Sequence, residues 1–418
     1  MSLSGRELQD ALIACARCGA CREGCPVFAE LLDESYTARG KMALVEALVE
    51  GRLRPSDDLV ERLSKCLFCL RCRETCSNDV PTVDIIAAGR ALAARERGLP
   101  LYMQGLLDLM GREKWPDSIL EALAALQPLA LDGANPLLPE ALRGKHLPPI
   151  TPPRLRDRVP VESLAEPELG RVVFFPGCMT DYIYPGLGLD IIRVLNKYGV
   201  TVLLPSELRC CGTPAFLYGA EEMGERWVEA NTAAMNAHEA DAIITGCASC
   251  GFTLKEHYAG LDAPVMDVME YLAAHPEYFP PSPPDRGVIT YHDPCHAVRG
   301  QGVADEPRRV LRMAGYTLRE MSEPDRCCGG GGLFHMRHPD LGRAVRERKV
   351  ADILGTGAPV VATGCPGCIM HIADGLAGSG VSVIHPVQLL LEPSERASAR
   401  GESGAEPEEM AGGERLDG

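Results

Sequence analysis

The residues of this chain that could do chemistry are its cysteines, of which the 418-residue sequence contains 18. They fall into four blocks, and the four blocks account for every cysteine. The first two blocks share one spacing, with two, two and three residues between successive thiols: Cys15, Cys18, Cys21 and Cys25, then Cys66, Cys69, Cys72 and Cys76. Thiolates spaced in this way bind soft metal centres, above all iron–sulfur clusters, so the chemistry to expect is electron transfer.

The other two blocks are longer and are copies of each other. Each contains a single cysteine, an adjacent pair and a final Cys-x2-Cys: Cys178, Cys210, Cys211, Cys247 and Cys250, then Cys295, Cys327, Cys328, Cys365 and Cys368. Corresponding cysteines lie 117 or 118 positions apart, which indicates that one unit was duplicated. Because five thiols cannot all pair as disulfides, these blocks favour metal binding in a reducing compartment.

The first two blocks have the run of a two-cluster bacterial ferredoxin, in which the fourth cysteine of each run binds the other cluster. The predicted ligand sets of two cubane [4Fe–4S] clusters are therefore Cys15, Cys18, Cys21 and Cys76, and Cys66, Cys69, Cys72 and Cys25. Zinc is the alternative, since Cys-x2-Cys pairs also form zinc sites. Four cysteines packed this closely cannot easily surround one tetrahedral ion, however.

Helices are predicted to position the first eight cysteines. Apolar residues at every third or fourth position predict one helix over 42–49 and another over 83–97. We therefore predict a mainly helical, ferredoxin-like domain over residues 1–98, with its clusters in the loops. Residues 99–170 are predicted as a linker that starts as a Leu-rich helix and continues with seven prolines between Pro136 and Pro160.

Residues 171–275 and 286–392 are predicted as two duplicated parallel α/β units. Each unit alternates strands with helices, which predicts a parallel sheet with right-handed crossovers, so the fold class is α/β with a helical N-terminal domain. Cys178, Cys210 and Cys247 each follow a strand. The ligands should then converge at the carboxyl edge of the sheet, with one cluster in each unit.

Composition restricts the partners and the location. The formal net charge of −16 argues against nucleic acid, because phosphate binding needs a cationic face. The N-terminal residues have no signal-peptide pattern, and no run of 18 apolar residues occurs. A cytoplasmic protein is expected, with at most a peripheral contact at the inner face of the membrane. Residues 393–418 are acidic and poor in apolar residues, which predicts a disordered tail.

The longer blocks resemble the CCG domain of heterodisulfide reductase catalytic subunits and of the iron–sulfur subunits of glycolate oxidase and D-lactate dehydrogenase systems. The resemblance depends on Pro-Gly-Cys178, Cys210-Cys211-Gly212, Cys327-Cys328-Gly329 and the two Gly-Cys-x2-Cys motifs. Ala38-Arg-Gly-Lys41 also resembles the glycolate oxidase type. In the heterodisulfide reductase family a complete five-cysteine unit binds a noncubane [4Fe–4S] cluster, so the resemblance implies one or two further clusters held by the ten C-terminal cysteines.

The resemblance implies an iron–sulfur subunit of a flavin-dependent glycolate or D-lactate dehydrogenase complex. Neither a flavin nor a nicotinamide motif is found; Gly186-x-Gly188 lacks the rest of a dinucleotide fingerprint. The expected partners are a flavin-containing dehydrogenase subunit and a quinone, an electron-transfer flavoprotein or another redox carrier, with little 2-hydroxy-acid oxidation by this chain alone. The alternatives are disulfide reduction at noncubane clusters and a structural metal scaffold.

Two features near the second unit's cysteines allow both a functional and a structural interpretation. The four glycines 329–332 could bring backbone N–H groups to a cluster sulfur or could form a tight turn. His292 and His296 flank Cys295, where they could supply protons or could satisfy local hydrogen bonds.

Overall fold

The computed structural model of the protein describes residues 3, 5–131 and 147–398. Its N-terminal part is helical, as the sequence predicted, and the cysteines of the ferredoxin runs lie in the loops and short turns between helices. The helices there are α1 (Gly5–Ile13), α2 (Pro26–Leu31), α3 (Ala38–Val49), α4 (Asp57–Ser64), α5 (Arg71–Glu74) and α6 (Thr82–Arg97).

Helices α3 and α6 form the frame of this domain. The hydroxyl of Thr37 caps α3 by accepting a hydrogen bond from the Gly40 N–H at 3.0 Å. Helix α6 packs closely on α3 because Gly89 lies against Val45, where an added Cβ would approach Val45 Cγ2 to 2.4 Å. The loops that carry the cysteines are thereby attached to one tightly packed helix pair.

Two helices, α7 (Leu101–Met110) and α8 (Asp117–Leu131), follow where the sequence predicted Leu-rich helix. The proline-rich connector falls partly on residues 132–146, which lie outside the described residues. The last part of the predicted linker over residues 99–170 is not only extended chain. It contains a two-residue strand, β1 (Glu162–Ser163), which pairs antiparallel with the first sheet.

The first unit contains a five-stranded sheet with the order β1-β3-β2-β4-β5, parallel except for β1. Its further strands are β2 (Gly170–Phe174), β3 (Val200–Leu203), β4 (Ala242–Thr245) and β5 (Val265–Asp267). Its helices are α9 (Pro185–Lys197), α10 (Thr213–Tyr218), α11 (Glu221–Asn236), α12 (Ala248–His257) and α13 (Val268–Ala274).

The second unit repeats this arrangement with a four-stranded parallel sheet of order β7-β6-β8-β9. The strands are β6 (Val288–Tyr291), β7 (Thr317–Leu318), β8 (Val360–Ala362) and β9 (Ser382–Ile384). The helices are α14 (Cys295–Val298), α15 (Asp305–Met313), α16 (Phe334–Arg337), α17 (Pro339–Gly355) and α18 (Pro366–Gly375). The duplicated parallel α/β architecture is thus confirmed, whereas β5 and β9 were not predicted because each is only three residues long and lacks an apolar run.

The two units pack against each other through a shared core. Helix α13 of the first unit contacts α15 of the second, and Val268 and Leu272 belong to the same buried cluster as Val310 and Leu311. Removal of this apolar surface from water holds the two sheets in one body. The carboxyl edges of the two sheets are therefore fixed relative to each other.

The region predicted as a disordered tail begins with a short helix, α19 (Pro393–Ser398). The backbone carbonyl of Glu395 accepts a hydrogen bond from Arg193 at 3.1 Å, and Arg396 donates to the carbonyl of Leu391 at 3.2 Å. These contacts with the first unit and with the end of the second give the first six residues an order that their composition did not predict, and residues 399–418 lie outside the described residues. No helix within the described ranges has both the length and the apolar character needed to cross a membrane.

Candidate iron–sulfur sites

One cavity of the N-terminal domain is lined by Cys72 and by the four cysteines that the spacing predicted for one cluster: Cys15, Cys18, Cys21 and Cys76. The last of them comes from the second run, so the structure brings together the set that the spacing predicted. The cavity wall also includes Arg39 and Met42 of α3. Because Cys18 is exposed, this first site lies at the surface of the protein.

The complementary set lines a second cavity next to the first: Cys25, Cys66, Cys69 and Cys72. Cys25 immediately precedes α2 and Cys72 lies on α5. The path of the chain thus brings the last cysteine of the first run to the cavity of the second run. Lys41 of α3 also lines this cavity and is 1% exposed. Burial lowers the pKa of Lys41, although the nearby thiols oppose that shift, and burial raises the pKa of Cys25 to about 11.

Arg90 of α6 fixes the loop that carries Cys66. Its guanidinium donates to the carbonyls of Leu63 at 2.8 Å and Ser64 at 2.9 Å, and its charge lies 4.5 Å from the centre of the Phe68 ring. It also donates to the carbonyl of Leu217 in the first α/β unit at 2.7 Å. One buried cation therefore joins the second site to the neighbouring unit.

The five cysteines of the first unit are brought together at the carboxyl edge of its sheet. The thiol of Cys210 contacts those of Cys178 and Cys211, Cys211 contacts Cys250, and Cys250 contacts Cys247. Contacts with Cys178 and Cys211, together with burial, raise the pKa of Cys210 well above its ordinary value. Contacts with Cys210 and Cys250 lower the pKa of Cys211. Thiols that share hydrogen bonds in this way lie close enough to bind one metal centre.

Polar side chains hold the adjacent pair of the first unit in place. Asn231 of α11 donates to the carbonyl of Cys210 at 3.1 Å and to the hydroxyl of Tyr258 at 2.9 Å, and Tyr258 in turn donates to the carbonyl of Cys211 at 3.0 Å. All four residues are buried. Asn231 and Tyr258 therefore hold the backbone of the adjacent pair, and the Cys211 thiol itself lies 3.1 Å from the hydroxyl of Thr213.

The second unit gathers its cysteines in the same way. Cys295 contacts Cys327, Cys327 contacts Cys328, and Cys365 contacts Cys368. The Sγ atoms of Cys328 and Cys368 are 3.4 Å apart. These contacts place one five-thiol group at the edge of each sheet, where the sequence predicted it.

The glycine run after Cys328 has both of the properties that its sequence allowed. The Gly329 N–H donates to Cys327 Sγ at 3.5 Å, so backbone does approach a cysteine sulfur. Gly329 and Gly331 have φ angles of 85° and 52°, and an added Cβ at Gly331 would approach a side-chain carbon of Leu67 to 2.6 Å. The turn therefore also lets the second unit pack against the ferredoxin domain.

Two contacts between domains join the separate groups of thiols, and neither was predicted. Cys247 of the first unit contacts Cys365 of the second, where the Ala248 N–H donates to the Gly364 carbonyl at 3.1 Å. Cys69 of the second ferredoxin run contacts Cys327. The cysteine spacing within one unit contains no information on how the units pack together. These contacts are therefore evident only from the folded structure.

The histidines beside Cys295 lie in different surroundings. His296 is bonded at both nitrogens, to Ser249 Oγ at 3.1 Å and to the Phe68 carbonyl at 2.8 Å, which is the local role that the sequence allowed. His292 bonds the Pro324 carbonyl through Nδ1 at 3.1 Å. Burial, with a smaller effect of the positive charge on Lys349, lowers the pKa of His292 to about 3.

The donor set fits iron–sulfur clusters. Every cysteine is free, and most of the thiols in the two α/β units are buried side by side. A row of buried thiolates is unfavourable unless cations neutralise it, which metal centres would do. The two cavities of the ferredoxin runs could each hold a cubane cluster through four of their thiols, whereas the five thiols of each α/β unit exceed the four ligands of a tetrahedral zinc ion.

Comparison with known proteins matches three segments of the chain to two families. The 4Fe-4S dicluster domain family matches residues 11–80, and the cysteine-rich domain family, CCG, matches residues 172–255 and 289–373. One subunit of the fumarate reductase (CoM/CoB) of Methanothermobacter marburgensis is 30% identical over 391 residues, which cover 91% of this chain and 71% of that protein.

Two further relatives match nearly the whole chain. The glycolate oxidase iron-sulfur subunit of Escherichia coli is 28% identical over 412 residues, covering 93% of this chain and 96% of that protein. One subunit of the dihydromethanophenazine:CoB–CoM heterodisulfide reductase of Methanosarcina barkeri is 27% identical over 398 residues, covering 87% of this chain and 89% of that protein.

Proposed function

The chain belongs to the family of iron–sulfur oxidoreductase subunits that join a 4Fe-4S dicluster domain to two cysteine-rich domains, and we propose that it passes electrons between a flavin-containing subunit and another redox carrier. The observation that carries this proposal is the contact of Cys69 with Cys327, which joins the ferredoxin domain to the second α/β unit. With the contact of Cys247 with Cys365, it makes one row of thiols from the N-terminal domain to the first unit.

In this proposal the two cavities of the N-terminal domain hold cubane [4Fe–4S] clusters. Their ligands are Cys15, Cys18, Cys21 and Cys76 for one, and Cys66, Cys69, Cys72 and Cys25 for the other. Each α/β unit holds one further [4Fe–4S] cluster through its five cysteines. When bound, such clusters accept and release single electrons. The protein's own contribution is to fix the thiols and to bury most of those in the α/β units away from water.

The rigid contacts around the junction support electron transfer through it. Arg71 and Arg299, from the two sides, both pair with Asp325, at 2.6 and 2.5 Å. Arg299 also pairs with Glu74 at 2.8 Å, and its side chain is only 3% exposed. A network of ion pairs around one buried cation, Arg299, favours a fixed geometry, which keeps neighbouring redox sites at a constant separation.

A flavoprotein partner follows from the electron count. Oxidation of a 2-hydroxy acid such as glycolate or D-lactate removes two electrons together, which is chemistry of a flavin or a nicotinamide. The glycolate oxidase iron-sulfur subunit is a relative over nearly the full length of this chain. We therefore place the substrate on a separate flavin subunit and the onward carrier, a quinone or an electron-transfer flavoprotein, beyond this chain, in the cytoplasm or at the membrane's inner face.

The test combines the anaerobically purified chain with an FAD-binding 2-hydroxy-acid dehydrogenase. The chain alone should not oxidise glycolate or D-lactate. With the flavoprotein and substrate present, the visible absorbance of its clusters should bleach within turnover time, and substrate oxidation should become coupled to an added quinone. Oxidation of either substrate by the chain alone would contradict the proposal.

A second candidate function is the reduction of a disulfide substrate at the two α/β units. It is favoured by the completeness of both five-cysteine groups and by an open cleft lined by Cys25, Cys69 and Cys327, through which a small molecule could reach the junction. A heterodisulfide reductase subunit is among the relatives. The reduced chain should then turn over heterodisulfides without any flavoprotein; if it does not, the electron-carrier role stands.

A further inference from the structure

The two α/β units differ at one buried position next to their cysteines. Three residues before the first cysteine of each unit, the first unit has Phe175 and the second has His292. Both side chains are completely buried. An imidazole in place of a phenyl ring adds two nitrogen atoms to an otherwise sulfur-rich group, so the two copies do not offer a metal the same donors.

The orientation of the His292 ring is fixed by one backbone carbonyl. Nδ1 lies 3.1 Å from the oxygen of Pro324, and because a carbonyl can only accept, Nδ1 must carry the hydrogen. The same oxygen accepts from the Asp293 N–H at 3.0 Å and from Lys349 Nζ at 3.3 Å. Three donors converge on this carbonyl, which therefore cannot turn away and leave the imidazole free to rotate.

The opposite nitrogen, Nε2, then presents a lone pair in a place closed to water. It has no hydrogen-bond partner among the described residues. A ring nitrogen of His292 lies within 4.8 Å of Cys328 Sγ and Cys368 Sγ, which are themselves 3.4 Å apart, and Nε2 is the nitrogen that the Pro324 carbonyl leaves open. A buried acceptor without a partner is unfavourable, and a metal ion between these three atoms would remove that penalty.

We infer that His292 Nε2 is an iron ligand in the second α/β unit, bound beside Cys328 and Cys368. Histidine ligands commonly donate their other ring N–H to a backbone carbonyl, as His292 does to Pro324. The first unit, with Phe175, then binds its cluster through sulfur alone. The duplication has thus produced two chemically different sites, of which the mixed nitrogen and sulfur site is the one in contact with Cys69 through Cys327.

The test is pulsed electron paramagnetic resonance on the full-length, cluster-loaded chain, reduced anaerobically and prepared with ¹⁵N-histidine or with unlabelled histidine. The expected result is a strong nitrogen coupling, typical of a directly bonded imidazole, that changes with the label. It should disappear in His292→Phe, which gives the second unit the residue of the first. It should persist in the control His275→Phe, whose ring stacks on Tyr278.

The labelled wild-type chain decides the question even where His292→Phe fails to fold. Absence of a directly bonded histidine coupling in the wild type would overturn the inference, as would its persistence in His292→Phe. So would iron and sulfide contents that leave the second unit without a cluster. The measurement needs no redox partner, so its failure is distinct from failure of the electron-carrier role.

Discussion

At the scale of single residues, the exchange of the fourth cysteine between the two ferredoxin runs has a consequence that mutation can test. Cys25 stands in the first run but lines the cavity of the second, and Cys76 does the reverse. The loss of one thiol should therefore damage the site that is remote from it in sequence. This distinguishes crossed ligation from two independent sites, each formed by one run.

Replacement of Cys25 by alanine should remove the cluster bound by Cys66, Cys69 and Cys72, with a loss of about four iron atoms per chain. Cys76→Ala should remove the other cluster to the same extent. The two variants can be compared by iron analysis and by the electron paramagnetic resonance of the reduced protein, in which each should lack a different signal. If Cys25→Ala lost the signal that Cys18→Ala also loses, the ligands would not be crossed.

At the scale of the elements, one helix cap is a buried carboxyl group with a shifted pKa. The carboxylate of Asp267 caps α13 by accepting from the Met269 N–H at 2.8 Å, and it is almost fully buried. Burial, with a smaller effect of Glu270, raises the pKa of Asp267 from 3.8 to about 7; Lys255 opposes this shift, and Cys365 and Tyr291 also face the group.

Asp267 should make stability depend on pH. Because its folded-state pKa is raised, the native protein keeps this proton between about pH 4 and 7 while the unfolded chain releases it. Stability should therefore fall as pH rises through that window, by at most roughly 4 kcal/mol, and should not change further through this group above it. In Asp267→Asn, which retains a capping oxygen, this part of the pH dependence should be absent from thermal unfolding midpoints.

Asp285→Asn is the matched control. Asp285 accepts from the backbone N–H two residues later, that of Gly287, at 2.9 Å, as Asp267 does, but it is exposed. The control should leave the pH profile of the unfolding midpoint unchanged. Identical profiles for wild type and Asp267→Asn would show that this carboxyl is not protonated in the native protein.

Arg90 of α6 acts on the same scale, since one side chain joins α4, the Cys66 loop and α10. Arg90→Met should remove hydrogen bonds to four backbone carbonyls, those of Leu63, Ser64, Cys66 and Leu217, and lower the free energy of unfolding by about 3 kcal/mol. The second ferredoxin cluster should also be lost faster in the presence of a chelator. Arg95→Met, on the same helix, removes a side chain that is 60% exposed and pairs with Glu221. It should change stability by less than about 1 kcal/mol, and equal effects of the two variants would contradict the role of Arg90.

At the scale of the whole molecule, the sequence was sufficient for what depends on local patterns. The ferredoxin spacing, the helices at Ala38–Val49 and Thr82–Arg97 and the repeated strand-helix order are encoded within short segments. The contacts of Cys69 with Cys327 and of Cys247 with Cys365 depend on packing between domains, for which these segments contain no signal. The sequence also could not predict the role of His292. Its Nε2 is seen to lack a partner only in the folded structure, where the Pro324 carbonyl fixes the ring.

The most direct test of the proposal as a whole is the iron, acid-labile sulfide and zinc content of the anaerobically purified full-length chain. Two cubane clusters and one further [4Fe–4S] cluster in each α/β unit predict about 16 iron atoms and a similar number of sulfides per chain, with little zinc. A chain that contained zinc and no sulfide would be a structural metal protein, and the electron-transfer role would be wrong.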